Sequence, residues 1–192
     1  FLYGEPLNNN PDFLDLFNHN LPPDIRALSI KEVDSGFNII QHPKQKEYLY
    51  LFSFGSKNHP FCAPLMANIK DDLDISLMVE GAKLFQGEHH FKNYCADPSE
   101  HTVFLREVKE SVIMKNDLYT ANFFPEDSYI FKVRGTGFLR YQVRLMMGAL
   151  IQLGKGELTL QDIRDSLTPG NSIVINFIAP ASGLILNKID FE

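Results

Sequence analysis

The spacing of apolar residues predicts a chain of short helices and strands. Helical spacing occurs in four segments, and three of them are bounded by Asn, Asp, Pro or Gly residues of the kind that favour helix ends. The first predicted helix follows Asn10-Pro11-Asp12, and the second begins at Asp74 and ends at Gly87. The third runs from Phe138 to about Leu153, and the fourth is centred on Leu160, Ile163 and Leu167.

Strand-like patterns occupy much of the remaining chain. Apolar and polar residues alternate over residues 25–33, which predicts a half-buried strand. Further strands are predicted at residues 48–52, 107–115, 128–134 and 184–191. Because runs of strands are broken by helices without strict βαβ alternation, we expect an α+β fold with an antiparallel or mixed sheet and helices packed on one face.

Composition narrows the class of protein. The chain has 192 residues, 44% hydrophobic and 22% charged, which suits a globular domain with a sizeable core. No apolar run approaches the length of a membrane span, and two cysteines are too few for a disulfide framework, so we expect a cytoplasmic protein. The net charge of −6 disfavours a broadly basic nucleic-acid surface, although nucleic acids respond to local fields.

Common cofactor and metal motifs are incomplete. Gly135-Thr136-Gly137 lacks the third glycine of a dinucleotide fingerprint. His59 with Cys62, and His90 with Cys95, match no common zinc spacing. We therefore expect neither a cofactor nor a metal ion.

Two side chains stand out on the predicted elements, but each has an ordinary explanation. Arg144 lies at the edge of the apolar stripe of the longest predicted helix, three residues before Met147. On periodicity alone a structural ion pair or a side chain reaching out to solvent is the commoner explanation. Tyr48 is most simply a half-buried sheet aromatic. Basic residues nearby, including Lys46 and Arg140, fit an ordinary solvated surface as well as phosphate contacts.

Five segments of the chain form an ordered set of motifs. In the run from Gly137 to Gly148, Phe138 is followed by Arg144 six residues on and by Gly148 four residues further. Lys46-Glu47-Tyr48-Leu49-Tyr50 has the pattern basic-x-Tyr-x-Tyr. The other segments are Leu21-Pro22-Pro23-Asp24-Ile25-Arg26, Phe85-Gln86-Gly87-Glu88-His89-His90-Phe91 and Ala179-Pro180-Ala181-Ser182-Gly183-Leu184. In order and spacing, these five segments resemble the motifs of the A-type tRNA pseudouridine synthases.

The resemblance implies one half of a pseudo-symmetric pseudouridine synthase fold. It also implies isomerisation of uridine to pseudouridine in tRNA, in the anticodon arm, with tRNA as partner and a homodimer as assembly. In this family the base is flipped, its glycosidic bond is cleaved, and C5 is rejoined to the ribose. The reaction requires a carboxylate as nucleophile or base.

By motif position, the resemblance implies catalytic roles for Tyr48 and Arg144. Arg144 would pair with the catalytic Asp, while Tyr48 would stack against the flipped base and take the C5 proton. Leu184 and Phe138 would line the base-binding pocket, and Lys46 and Arg140 would contact the substrate.

The family places its catalytic Asp in an Arg-Thr-Asp-like loop, and no Asp in this sequence occupies such a loop. We therefore expect residues 1–192 to be a catalytic-domain portion that is inactive alone, with the N-terminal domain and the Asp loop upstream of Phe1. Phe1-Leu2-Tyr3 would be the tail of the strand that follows this loop. The alternative is a non-catalytic RNA-binding or scaffolding module with the same fold.

Overall fold

A computed structural model describes residues 12–171 and 173–191. The chain divides into two compact units, Phe1–His42 and Pro43–Glu192. Asn10 and Pro11 of the first predicted helix cap, and the predicted strand tail at residues 1–3, lie outside the described residues.

In the first unit, the described residues contain one helix, α1 at Phe13–His19, with Asp12 as its N-cap residue. The strand predicted over residues 25–33 is wrong, because no strand forms there and Leu28 is 80% exposed. The Ala27 backbone groups form hydrogen bonds with the Asn18 side chain and not with a neighbouring strand. The Ala27 N–H donates to Asn18 Oδ1 at 2.8 Å, and the Ala27 carbonyl accepts from Asn18 Nδ2 at 2.9 Å.

The second unit contains a six-stranded sheet and three α-helices among its described residues. The strands are β1 Gln45–Phe54, β2 Ala67–Ile69, β3 Gly87–His90, β4 Leu105–Lys115, β5 Tyr129–Gly135 and β6 Leu184–Asp190, and the helices are α2 Ile75–Lys83, α3 Gln142–Gly154 and α4 Leu160–Ser166.

Strand β1 lies inside the sheet, next to the edge formed by β2 and β6. One edge of β1 pairs antiparallel with β5, and the sheet continues through β4 to β3. The other edge pairs antiparallel with β6 and, further along, parallel with β2. The mixed sheet and the α+β class are as the sequence predicts.

The period-two alternation of β1 supplies both faces of the sheet. Tyr50 and Phe52 are fully buried on the face covered by α2, α3 and α4. Leu49 and Leu51 point to the other face, where loop residues such as Met66 complete a smaller core. Burial of each such side chain stabilises the fold by about 1.5–3 kcal/mol. The helices therefore lie on one face, and β1 is fixed from both sides.

Local sequence explains α2, whose first turn is capped by the Asp74 carboxylate accepting from Leu77 N–H at 2.9 Å. Gly87 does not close this helix, because α2 ends at Lys83 and Gly87 opens β3 with φ of +114°. The strands β2 and β3 were not predicted; β2 has three residues, and β3 is a polar Gly-Glu-His-His segment without apolar alternation. None of the helices in the described ranges has the length and apolarity needed to cross a bilayer.

Candidate active site

Tyr48 lies on β1, on the helix-covered face, with a half-buried side chain. Its ring meets the ring of Phe138 edge to face, with centroids 5.3 Å apart and planes at 88°. Burial raises the pKa of the Tyr48 hydroxyl above its ordinary value. The hydroxyl is therefore protonated at neutral pH.

The start of α3 differs from the prediction. The predicted helix begins at Phe138, but α3 begins at Gln142, because Tyr141 adopts a left-handed conformation with φ of +62° that interrupts helical geometry. Such a conformation costs a residue other than glycine of order 1–3 kcal/mol. The buried Gln142 side chain stabilises the turn before the helix, because its Oε1 accepts a hydrogen bond from Leu139 N–H at 2.8 Å.

Arg144, in the first turn of α3, is partly buried and fixed by the chain that precedes β6. Its Nε donates to the Ala179 carbonyl at 2.7 Å, and Ala179 N–H donates to the Arg144 carbonyl at 3.1 Å. Its guanidinium carbon lies 5.0 Å from the centre of the Tyr141 ring. Among the described residues no carboxylate forms an ion pair with Arg144, and its two terminal nitrogens make no hydrogen bond there.

Tyr50 anchors the chain segment just beyond Ala179. Its hydroxyl donates to the Pro180 carbonyl at 2.7 Å, and its side chain is fully buried. Burial raises the pKa of Tyr50, and the positive charge of Arg144 opposes that shift. A Cβ at Gly183 would overlap the Leu51 carbonyl and lie 2.9 Å from the Tyr50 ring, so only glycine fits there. Leu184 follows and pairs with Tyr50 across β6 and β1.

These elements line a cavity of about 110 Å³ that is open to solvent on one side. Its lining residues come from β1, from the turn and first residues of α3, and from the start of β6: Tyr48, Phe138, Leu139, Tyr141, Gln142, Val143, Arg144 and Leu184. Four of the six residues singled out in the sequence, Tyr48, Phe138, Arg144 and Leu184, thus lie around one space.

Lys46 and Arg140 do not line this cavity. Lys46 lies on β1, opposite Gly135 of β5 and Ile189 of β6. The Arg140 side chain is exposed and pairs with Asp97 at 3.4 Å. The structure therefore brings together the aromatic, apolar and guanidinium groups, while these two basic residues lie outside the cavity.

The sequence prediction missed four lining residues: Leu139, Tyr141, Gln142 and Val143. The sequence does contain a signal for Gln142. This residue is three positions after Leu139 and four before Met146, so it is a polar side chain on the apolar face of the predicted helix. No sequence signal reports the left-handed conformation of Tyr141, because tyrosine rarely adopts it.

No group of three or more His, Cys, Asp or Glu side chains in the described part of the chain is arranged to hold a metal ion. Cys62 and Cys95 are both free thiols. The polar groups that line the cavity are the phenols of Tyr48 and Tyr141, the Gln142 amide and the Arg144 guanidinium.

Comparison with known sequences identifies the family. The sequence model of the tRNA pseudouridine synthases matches residues 82–192. The chain is 32% identical over 172 residues to tRNA pseudouridine synthase A of Staphylococcus aureus strain MRSA252, covering 90% of this chain and 62% of the relative. Identity to the protein of the same name from strain JH1 is also 32%, covering 90% of this chain and 61% of that protein. The chain thus spans less than two thirds of either relative. It belongs to the tRNA pseudouridine synthase family.

Proposed function

We propose that the full-length protein isomerises uridine to pseudouridine in tRNA. One observation carries this proposal: Tyr48, Arg144 and Leu184, from three separate chain segments, surround a single small cavity. Family membership and the names of the relatives support the same reaction.

The reaction rearranges bonds without adding or removing atoms. The N1–C1′ bond of uridine breaks and a C5–C1′ bond forms, while C5 loses a proton and N1 gains one. The enzyme must flip the base out of the stack and retain it while it is detached. A cavity of about 110 Å³ with an apolar wall at Leu184 suits a single pyrimidine ring.

Arg144 is assigned the role of holding the catalytic carboxylate. Its Nε is committed to the Ala179 carbonyl, which leaves the two terminal nitrogens for a bidentate pair with an Asp. That Asp would come from a part of the full-length protein outside this chain, together with the N-terminal domain. Residues 1–192 would then be a catalytic-domain portion, which is inactive alone.

Tyr48 is assigned stacking and proton transfer. Its half-buried ring is braced by Phe138, so it can present a fixed face to the flipped uracil. Because burial raises the pKa of its hydroxyl, Tyr48 is protonated, and its oxygen accepts the C5 proton as its own proton passes to water. N1 takes one proton from water, so the number of protons is conserved. Lys46 and Arg140, outside the cavity, would contact the tRNA backbone.

The proposal extends to a uridine in the anticodon arm as substrate, a homodimer as assembly and the cytoplasm as location. These features rest on the motif resemblance. Analytical ultracentrifugation of the full-length protein measures the assembly, and a monomer at micromolar concentration would contradict the dimer.

Release of tritium tests the reaction directly. The full-length protein is incubated with tRNA labelled with tritium at C5 of uridine, and tritium release into water is expected because C5 loses its hydrogen. Residues 1–192 alone should release none. A full-length protein that binds tRNA without releasing tritium is instead a non-catalytic RNA-binding or scaffolding module.

A further inference from the structure

Tyr141 adopts a strained, left-handed backbone conformation. Its φ is +62°, a region that side chains other than Gly, Asn and Asp rarely enter. Tyr141 is 39% exposed and belongs to neither core cluster, and its ring lies against the Arg144 guanidinium. Strained residues of this kind persist where the surrounding structure requires them, and they concentrate at functional sites.

The left-handed turn places the Tyr141 ring against the Arg144 guanidinium. The guanidinium carbon lies 5.0 Å from the ring centre, within the range of a cation–π contact. The guanidinium of Arg140 also approaches the ring, at 5.6 Å, but Arg140 is engaged by Asp97. Tyr141 is therefore in contact with Arg144, which lines the cavity.

Two contacts limit the freedom of the Arg144 side chain. The Ala179 carbonyl accepts from Nε and fixes that edge of the guanidinium plane. The Tyr141 ring contacts the same group and restricts its rotation. A long side chain held in this way loses less conformational freedom when its two terminal nitrogens take up a partner.

We propose that Tyr141 is a positioning residue, which holds the Arg144 guanidinium in the orientation needed to pair with the catalytic carboxylate. This inference rests on the proposed function. The ring acts through Arg144 and takes no part in proton transfer. Its aromatic face is the active feature, and its hydroxyl is dispensable.

Three variants of the full-length protein separate positioning from stability. Tyr141→Asn removes the ring but keeps a residue that tolerates left-handed geometry, so its melting temperature should not fall. Tyr141→Phe keeps the ring face and should recover most of the turnover lost in Tyr141→Asn. Tyr119→Asn is the matched control, since Tyr119 packs against the smaller core and bonds to Asn187, away from the cavity.

Steady-state tritium release gives kcat and KM for each variant. We expect Tyr141→Asn to lower kcat roughly 10- to 100-fold, the scale on which a misplaced catalytic group loses activity, with KM changed much less. Tyr119→Asn should keep the wild-type kcat. Equal kcat values for Tyr141→Asn and Tyr141→Phe, or a loss in Tyr141→Asn that follows a fall in melting temperature, would overturn the proposal.

A nuclear magnetic resonance measurement remains decisive if the wild-type protein releases no tritium and the proposed reaction fails. The Nε–H signal of Arg144 should show a ring-current shift and slow solvent exchange in wild type and Tyr141→Phe. In Tyr141→Asn the shift should vanish and exchange should accelerate. An unchanged signal in Tyr141→Asn would show that the ring does not hold the guanidinium.

Discussion

Arg144 and Ala179 are joined by two hydrogen bonds of opposite direction. The backbone N–H of Ala179 donates to the Arg144 carbonyl at 3.1 Å, and Arg144 Nε donates to the Ala179 carbonyl at 2.7 Å. The first turn of α3 and the segment leading to β6 are thereby tied at the point where both border the cavity. The side-chain hydrogen bond uses only the Nε–H of the guanidinium. Both terminal nitrogens therefore stay available as donors to another group.

Arg144→Lys should abolish most activity in the full-length protein without unfolding it. An ammonium group cannot bond to Ala179 and also present a planar pair of donors to a carboxylate. We expect turnover to fall roughly 100-fold or more, the range seen when one preorganised polar group leaves an active site. Tritium release gives the rate, and circular dichroism checks the fold. Arg164→Lys, at an exposed position of α4, is the control; activity of Arg144→Lys within a few-fold of wild type would leave Arg144 a structural charge.

Tyr48→Phe should separate binding from turnover. The variant keeps the ring that packs on Phe138 and a stacking surface of about 1–3 kcal/mol per base, and it removes only the hydroxyl. Filter binding should therefore show tRNA affinity close to wild type, while tritium release collapses. Normal turnover by Tyr48→Phe would restrict the role of Tyr48 to stacking.

Gly148→Ala should destabilise the fold. A Cβ there would overlap the backbone carbonyl of Phe177, which cannot move as a flexible side chain would. Overpacking of this kind costs about 2–3 kcal/mol, measurable by urea unfolding. Gly137→Ala is the matched control, because its Cβ would meet nothing within 4 Å and its cost should stay within about 0.5 kcal/mol. Equal stability of the two variants would show that α3 and Phe177 do not pack this closely.

The helix α4 offers a pH-dependent prediction. Thr159 Oγ1 donates to the Asp162 carboxylate at 2.7 Å, and the Thr159 N–H donates to it at 2.8 Å. These bonds, the hydroxyl bond first, lower the pKa of Asp162. The resulting stabilisation is complete above the ordinary aspartate pKa of about 4 and is lost as pH falls through the lowered pKa.

Thr159→Ala should therefore raise the pKa of Asp162 in a carbon-detected titration. It should also lower stability near neutral pH by about 1 kcal/mol, because the helix loses a side-chain cap. The stability difference from wild type should shrink as pH falls below about 4. An unchanged Asp162 titration would contradict the hydrogen bonding described for this cap.

The sequence predicts secondary structure best where the local pattern of apolar residues agrees with how the segment packs. The aromatic and aliphatic run around Tyr50 is buried on both faces of β1, so pattern and structure coincide. The end of the long helix at Gly154 was also predicted to within one residue. Tyr48, Arg144 and Leu184, which motif spacing singles out, lie around one cavity in the structure, although they are far apart in sequence.

The predictions of secondary structure were wrong where the backbone conformation depends on contacts that a single sequence does not reveal. Alternation over residues 25–33 favours a strand, but the Asn18 side chain takes the Ala27 backbone bonds. The start of α3 depends on the left-handed turn at Tyr141, and tyrosine carries no signal for it. A sequence pattern records which side chains could be buried, whereas these outcomes depend on which hydrogen-bond partner is nearest.

The hydrogen bond from Tyr50 to Pro180 joins residues 130 positions apart, and Leu184 reaches the cavity only through the docking of β6 on β1. Loops of this size close slowly, because their entropy must be overcome before the contact forms. If β6 opened locally, the cavity would lose its wall at Leu184 while α3 stayed formed. The cavity is therefore a property of the completed sheet, and it should be lost on mild heating before helical content declines.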